Sequence, residues 1–595
     1  MVWWEIAESI DVSLSRSEGT SGTAAITGTA GASSTESAAD SASEAEAIAF
    51  PPLPDLTPLP ESLPELLAAS RKAGITLQHV TSWRAVTAFA RHHWLADAPA
   101  DTTDLIGEYH ALRHAVADQL ELVDEAKAER AAWLKWATAA GVHSAILHAR
   151  SYGAFAEAEA FIDANPGDAI TGRRPEDAEI PELVSLADEI LATTPRQGEA
   201  YYYLVSAAVT GAAASLARRA DIAGKLSKWS ARWAPKRSGL DDRKLLEAQL
   251  AHGRGELRKA ARIAAGVAAT PQSEPVTTTI EARQFLAFLS LEAGEEDEAI
   301  RQLRPIVQAG LDAGLTVAVL RSTRLLCALL NAHGHFAEAA EIARHALERA
   351  EGMPANPISM DIQLILARSL LDADAIEDAL RYAEPVAHWS TFTSDEERTD
   401  AAFSIAAAAA GLANNPRHAA KLLVEHGEHL ERIGDAKGAS KAYRQAARSV
   451  IHIIDVVITE TAAAADAADA SLTIDRTLSE AEDLLLRSQK LITDDWSMAD
   501  WHDDAAYIFY SAGRDELATD HVEAAAEGYL NSGDGEEAAR ALLAGVRYRL
   551  DADDPEGAED YARRVEKLLP RATWDGHPVL DALDTILPQM PHDDQ

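Results

Sequence analysis

The sequence predicts an all-α fold, a solenoid of antiparallel helical hairpins, and three observations predict it. The first is a phrase: Gly, Asp or Asn, then Ala five residues later. It recurs as Gly255…Ala260, Gly294…Ala299, Gly334…Ala339, Asp374…Ala379 and Asn414…Ala419, at steps of 39, 40, 40 and 40 residues. A fixed period of that size marks stacked helical pairs. The second is composition, 47% hydrophobic with only 6% aromatic residues. Ala and Leu therefore dominate the apolar content; both are strong helix formers, and Ala lets helices approach closely. The third is length. A solenoid can reach 595 residues without one central core, because each repeat touches only its neighbours.

Residues 1–50 read as a disordered acidic tail. From 12 to 49 they are mostly Ser, Thr, Gly, Ala and acids, with Arg16 the only basic residue. Such a segment buries too little apolar surface to offset the entropy of ordering. Residues 51–64 carry Pro51, Pro52, Pro54, Pro58, Pro60 and Pro64 and suit a semi-rigid linker, although a proline segment can also dock in an aromatic groove. Residues 65–180 form an N-terminal helical region, with amphipathic helices expected over Leu66–Trp94, Thr103–Ala140 and Ser144–Ala164. A loop over Asn165–Pro181 separates it from the repeat array at 181–590.

Within the array the pattern predicts Thr278–Leu291 paired with Glu296–Ala309 across Gly294. Val317–Asn331 pairs with Phe336–Ala350 across Gly334, and Asp361–Leu371 with Ile376–Ala387 across Asp374. Gly, Asp and Asn suit these turns because they tolerate the left-handed backbone that ends a helix. Ala299, Ala339, Ala379, Ala439 and Ala538 follow early in the next helix, where a small side chain permits close packing. The phrase returns at Gly434, Gly513, Gly533 and Asp553. Steps of 20 residues among these are half a repeat, one helix of about four turns plus a connection. The Ala- and Asp-rich stretch Thr459–Ala470 reads as a surface loop or a polar helix end, and Leu478–Leu491 as a helix.

At these residues the chain resembles the tetratricopeptide-repeat family, in a divergent long-period form. The match is best at Gly427 and Leu430 before Gly434-Asp435-Ala436-Lys437-Gly438-Ala439, followed by Tyr443 and Ala446. Gly334-His335-Phe336-Ala337-Glu338-Ala339 and Gly294-Glu295-Glu296-Asp297-Glu298-Ala299 fit as well, and Gly153–Ala158 is an isolated earlier copy. The resemblance covers Tyr201 to Leu569. Two departures place it nearer the long-helix sensor arrays of large bacterial transcription activators. The period exceeds the family's usual length of about 34, and the first-helix aromatic is mostly Ala or Leu. HEAT-like pairs have a similar period.

The net charge of −41 repels nucleic-acid phosphates and anionic headgroups. A protein or peptide partner is expected, without nucleic acid or membrane; the same acidity is common in soluble bacterial proteins. Met1–Ile10 holds no Lys or Arg, so it lacks a secretory signal's basic start, and a cytoplasmic location is expected. Cys327, the single cysteine, lies in an apolar run and reads as a buried hydrophobe. There is no GxSxG elbow, no GxxxxGK[ST] loop and no kinase signature; Gly253-Arg254-Gly255 is a helix–turn element. The reading is of a non-enzyme without cofactor or metal. His110 and His114, at i, i+4 beside Glu108, fit two ligands on one helix face, but a third ligand is missing and surface histidines are the plainer reading. His92-His93 and His333/His335 are weaker.

The candidate partner-binding residues are Tyr202, Arg218, Lys225, Trp229, Arg232 and Trp233. The segment 218–244 interleaves Trp229 and Trp233 with nine Lys and Arg side chains. This suits an acidic or phosphorylated ligand through charge, stacking and cation–π contacts. The competing reading packs both tryptophans into the hairpin core. Stacked hairpins then point to an interaction scaffold that takes a peptide or partner on its concave face. A regulatory or sensor module is the alternative, and a metal-dependent enzyme in the N-terminal helical region a distant third.

Overall fold

Each described copy of the phrase ends one helix and starts the next. The computed structural model describes residues 121–586 for the most part and a few positions from 110 to 118; gaps include 165–180, 234–239, 270–275, 462–466 and 571–576. The expected tail, linker and Leu66–Trp94 helix lie outside the described residues, as does Gly255. The chain divides into two units, Met1–Ser369 and Leu370–Gln595. Among the described residues all regular structure is helical, and no helix is long and apolar enough to cross a membrane.

The first unit opens with α1 (Val123–Ala140), α2 (His143–Ala164), α3 (Pro181–Ala192), α4 (Ala200–Leu216) and α5 (Ala220–Trp233). It continues through α6 (Leu240–Gly253), α7 (Leu257–Ala268), α8 (Val276–Glu292) and α9 (Glu296–Asp312). Next come α10 (Thr316–Ala332), α11 (Phe336–Arg349) and α12 (Pro357–Asp372), whose last turn begins the second unit. The second unit holds α13 (Ile376–Thr393), α14 (Glu396–Leu412), α15 (Pro416–Ile433), α16 (Ala436–Thr461) and α17 (Ala467–Gln489). It ends with α18 (Asp495–Ser511), α19 (Asp515–Asn531), α20 (Gly535–Asp551), α21 (Pro555–Leu568) and α22 (Pro578–Ile586). The expected hairpins across Gly294 and Gly334 are therefore α8/α9 and α10/α11, with ends close to those predicted, and Asp374 lies in the turn between α12 and α13.

The turn chemistry is the same in every described copy. Gly294, Gly334, Asp374, Asn414, Gly434, Gly513, Gly533 and Asp553 all have positive φ. At Gly294 its N–H donates to Leu291 O at 2.9 Å, and the Glu295 N–H to Ser290 O at 2.8 Å. These are the two bonds of a Schellman stop, and they use carbonyls the helix end would leave orphaned. The next helix begins at once, since the Ala299 N–H donates to Glu295 O at 3.1 Å. The Ala of the phrase is thus the fourth residue of that helix. Ala299, Ala339, Ala379, Ala439 and Ala538 are fully buried, so a larger side chain would overpack its surroundings. At several turns the residue between caps the new helix: the side chains of Asn415, Asp435, Asp534 and Asp554 accept from His418, Gly438, Glu537 and Gly557 N–H.

Two glycines separate backbone need from packing need. A Cβ on Gly294 would meet open space, so Gly294→Ala should cost only its left-handed backbone, about 1 kcal/mol. A Cβ on Gly427 would lie 2.6 Å from the Tyr443 ring. Gly427→Ala should therefore cost about 1–3 kcal/mol through displaced packing. Urea titration of both variants checks the order. Equal costs would mean that the tyrosine simply moves aside.

The sequence pattern ran one helix over Thr103–Ala140, but the structure breaks it at Glu121. Glu121 has φ 57°, and the Leu122 N–H donates to Ala117 O at 2.9 Å, another Schellman stop. A glutamate in this conformation costs about 1–2 kcal/mol, and its compensation is tertiary. Farther on, Thr459–Thr461 end α16 as a helix, and only 462–466 lie outside the described residues.

Candidate functional site

The predicted basic and aromatic segment lies on α5. Trp229 is buried in the core with Leu183, Leu186 and Leu226, and its indole N–H donates to Thr193 O at 3.3 Å. Trp233 is half-exposed, 6.4 Å from Trp229 between ring centroids, with the Arg232 guanidinium 5.2 Å over its ring. Lys225, Lys228 and Arg232 are exposed. Arg218, Lys236, Arg237 and the Tyr202 side chain lie outside the described residues. Tyr203 is buried, its hydroxyl 3.3 Å from His143 Nδ1. The structure thus brings Lys225, Arg232 and Trp233 to the surface, with Trp229 as their anchor in the core.

His110 and His114 are committed elsewhere. His110 Nδ1 lies 2.5 Å from Glu129 Oε1. His114 is enclosed by rings: Tyr152 at 4.6 Å and Trp133 at 6.5 Å, with His148 4.8 Å from Trp133. Burial lowers the His114 pKa to about 4, against the pull of Asp118, and lowers that of His148 to about 3, helped by His114. Both are neutral core residues at neutral pH. Cys327 is fully buried, its Sγ 3.6 Å from Ala339 O, and burial pushes its thiol pKa up.

What sequence reasoning missed is a row of polar side chains on the first helices of successive hairpins. In the first unit the Gln284 amide on α8 donates to Ser322 Oγ on α10 at 2.6 Å. Arg324 on α10 donates to Asp361 on α12 at 2.7 Å, and Ser369 to the Asn331 side chain at 2.8 Å. Burial works against the Arg324 charge, but Asp361 and Glu121 outweigh it and raise its pKa. These pairs are 38, 37 and 38 residues apart. Their spacing follows the hairpin period, and that was the available signal.

The second unit carries a charged and aromatic belt of its own. Buried Arg444 on α16 reaches Asp500 and Asp504 on α18, each at 2.5 Å. Arg448 reaches Asp504 at 2.9 Å, and its guanidinium lies 4.6 Å over the Tyr507 ring. Tyr510 stacks on Tyr548 of α20 at 4.0 Å and donates to Asp551. Trp496, exposed, donates to Asp534 at 3.2 Å and meets Tyr529 edge-on at 5.7 Å. Burial first, and the Asp504 charge next, push the Asp503 carboxyl up to about 7. Tyr507 and Tyr510 are half-exposed. Ion pairs link the helices of this belt, and Tyr507 and Tyr510 stay partly open to solvent.

No protein-family model and no curated protein matches the chain. Among solved structures it is similar to the apo form of RapI, at 11% identity and a TM-score of 0.30, covering 71% of this chain and 98% of that one. A Rap protein complexed with competence and sporulation factor aligns at 11% identity and a TM-score of 0.25, over 64% and 99% of the two chains. A signal transduction ATPase with numerous domains, carrying a tetratricopeptide-repeat sensor, from Pyrococcus horikoshii aligns at 15% identity and a TM-score of 0.25, over 69% and 70%. Superpositions this loose carry no functional weight.

Proposed function

We propose that the chain is a non-catalytic module that binds a segment of another protein along the side formed by the first helices of its hairpins. The observation that carries this reading is the belt on α16, α18 and α20. Packing alone would fill such positions with Ala and Leu. Instead Arg448, Tyr507 and Tyr510 stand half-exposed, already held by Asp504, Tyr548 and Asp551. Tyrosine and arginine fixed in this way give affinity at low entropic cost. Lys225, Arg232 and Trp233 on α5, with Trp229 as anchor, offer a second contact suited to an acidic segment. The charge of −41 disfavours nucleic acid and anionic membranes as partners.

A photo-crosslinking residue in place of Tyr507 tests this, with one in place of exposed Leu517 on α19 as control. A protein adduct is expected at position 507 and not at 517, and Arg448→Gln, which removes the cation without adding a carboxylate beside Asp504, should weaken the adduct at 507. Equal adducts at both positions, or none at 507, would overturn the reading.

A further inference from the structure

The Asp118–Glu121 turn sits on the first-helix side of the array, 203 residues away from its partners in sequence. Arg324 on α10 grips the Glu121 carboxylate with both terminal nitrogens, at 2.9 and 3.1 Å. Arg321, one helical turn earlier on the same face, approaches that carboxylate at 3.4 Å and donates to the Asp118 carbonyl. A fork on a carboxylate is the strong, directional form of such a bond. Arg324 also holds Asp361 on α12, which belongs to the polar row described above. The turn therefore covers part of the surface that a partner would use.

The local backbone supports the same point. Glu121 ends its helix at positive φ without being Gly, Asn or Asp, so its own sequence does not favour the stop. The grip of Arg321 and Arg324 supplies the reason for it. A held carboxylate also shows what the arginine pair accepts: a planar anion on a short acidic turn.

We propose that Asp118 and Glu121, seated on Arg321 and Arg324, form an intramolecular latch, which an acidic segment of a partner protein displaces. The latch occupies the arginine pair in the isolated chain, and its release frees Glu121 from α10. The displacement rests on the reading that the first-helix side binds protein segments; the latch contact stands without it.

The test has two arms, both on the full chain. In the first, amide exchange of residues 117–123 is compared between the natural chain and Glu121→Gln. Loss of the charged fork should speed exchange roughly tenfold, with α18 and α20 unchanged. Unchanged exchange at 117–123 overturns the latch. In the second arm, a fluorescein-labelled peptide copying residues 112–127 is titrated by anisotropy. It should bind Glu121→Gln roughly tenfold tighter than the natural chain, and Arg324→Lys added to that variant, which keeps the charge but loses the fork, should remove the gain. A peptide that binds the natural chain and Glu121→Gln equally, or binds neither, overturns the displacement. Failure of the Tyr507 crosslink with both arms positive would overturn the binding reading alone.

Discussion

Replacing Arg444 with methionine should destabilise the second unit by about 3–5 kcal/mol, the cost of removing one partner from a buried ion pair. Arg444 is buried and holds Asp500 and Asp504 at 2.5 Å each. Arg448 contacts Asp504 from a half-exposed position and cannot replace the second guanidinium. Asp503 stands next in sequence with its carboxyl already pushed up to about 7 by burial and by Asp504. Without Arg444, Asp504 would have to give up its charge or its burial. The loss should therefore shrink as pH falls and the carboxylates take up protons.

The sign for Asp503 runs the same way. Its pKa is about 7 in the folded chain against 3.8 as the ordinary value, so the folded state holds the proton longer. Its contribution falls as pH rises from about 4 to about 7, by up to about 1.4 kcal/mol per unit. Adding Asp504→Asn to Arg444→Met should restore much of the stability, a coupling that a double-mutant cycle reads directly. Amide exchange of α16 and α18 is the measurement. A loss under about 1 kcal/mol, or no rescue by Asp504→Asn, would mean the network is solvated and expendable.

The turns were legible in the sequence because their requirements are local. A left-handed residue and an Ala five places on are demanded by backbone conformation and one contact, so Gly294…Ala299 and Asp553…Ala558 can be read without knowing the neighbours. Gly427 and Tyr443 stood out only through the tetratricopeptide resemblance, and the structure sets the Tyr443 ring in the space that Gly427 leaves. The polar row and the belt were hidden because their partners lie a whole hairpin or more apart, as with Arg444 and Asp504, 60 residues apart. Periodicity placed Trp229 and Trp233 on one face, but only packing decided which entered the core. The break at Glu121 left no signal, since a helix stop without Gly or Asn is imposed from outside, here by α10.

Acid should loosen the N-terminal helices well before it protonates most carboxylates. His114 and His148 have folded pKa values of about 4 and about 3, against 6.5 as the ordinary value. Unfolded imidazoles therefore take up protons first as pH falls. Stability held by the two neutral rings is complete above about 6.5 and drains away below it. At about pH 5 each histidine costs about 2 kcal/mol, roughly 4 together, at 1.36 kcal/mol per unit. The surroundings offer little relief. Trp133 and Tyr152 pack against both rings, the Asp118 and Glu129 charges do not overcome the burial of His114, and charge on His114 disfavours charge on His148. Phenylalanine has nearly the same shape and no proton to gain, so His114→Phe with His148→Phe should keep α1 and α2 packed through this range. Amide exchange of residues 123–164, compared between natural chain and variant at matched pH, reads the difference. Identical protection at about pH 5 would show that the cluster relaxes or admits water before it charges, and that these histidines do not set the acid limit of the first unit.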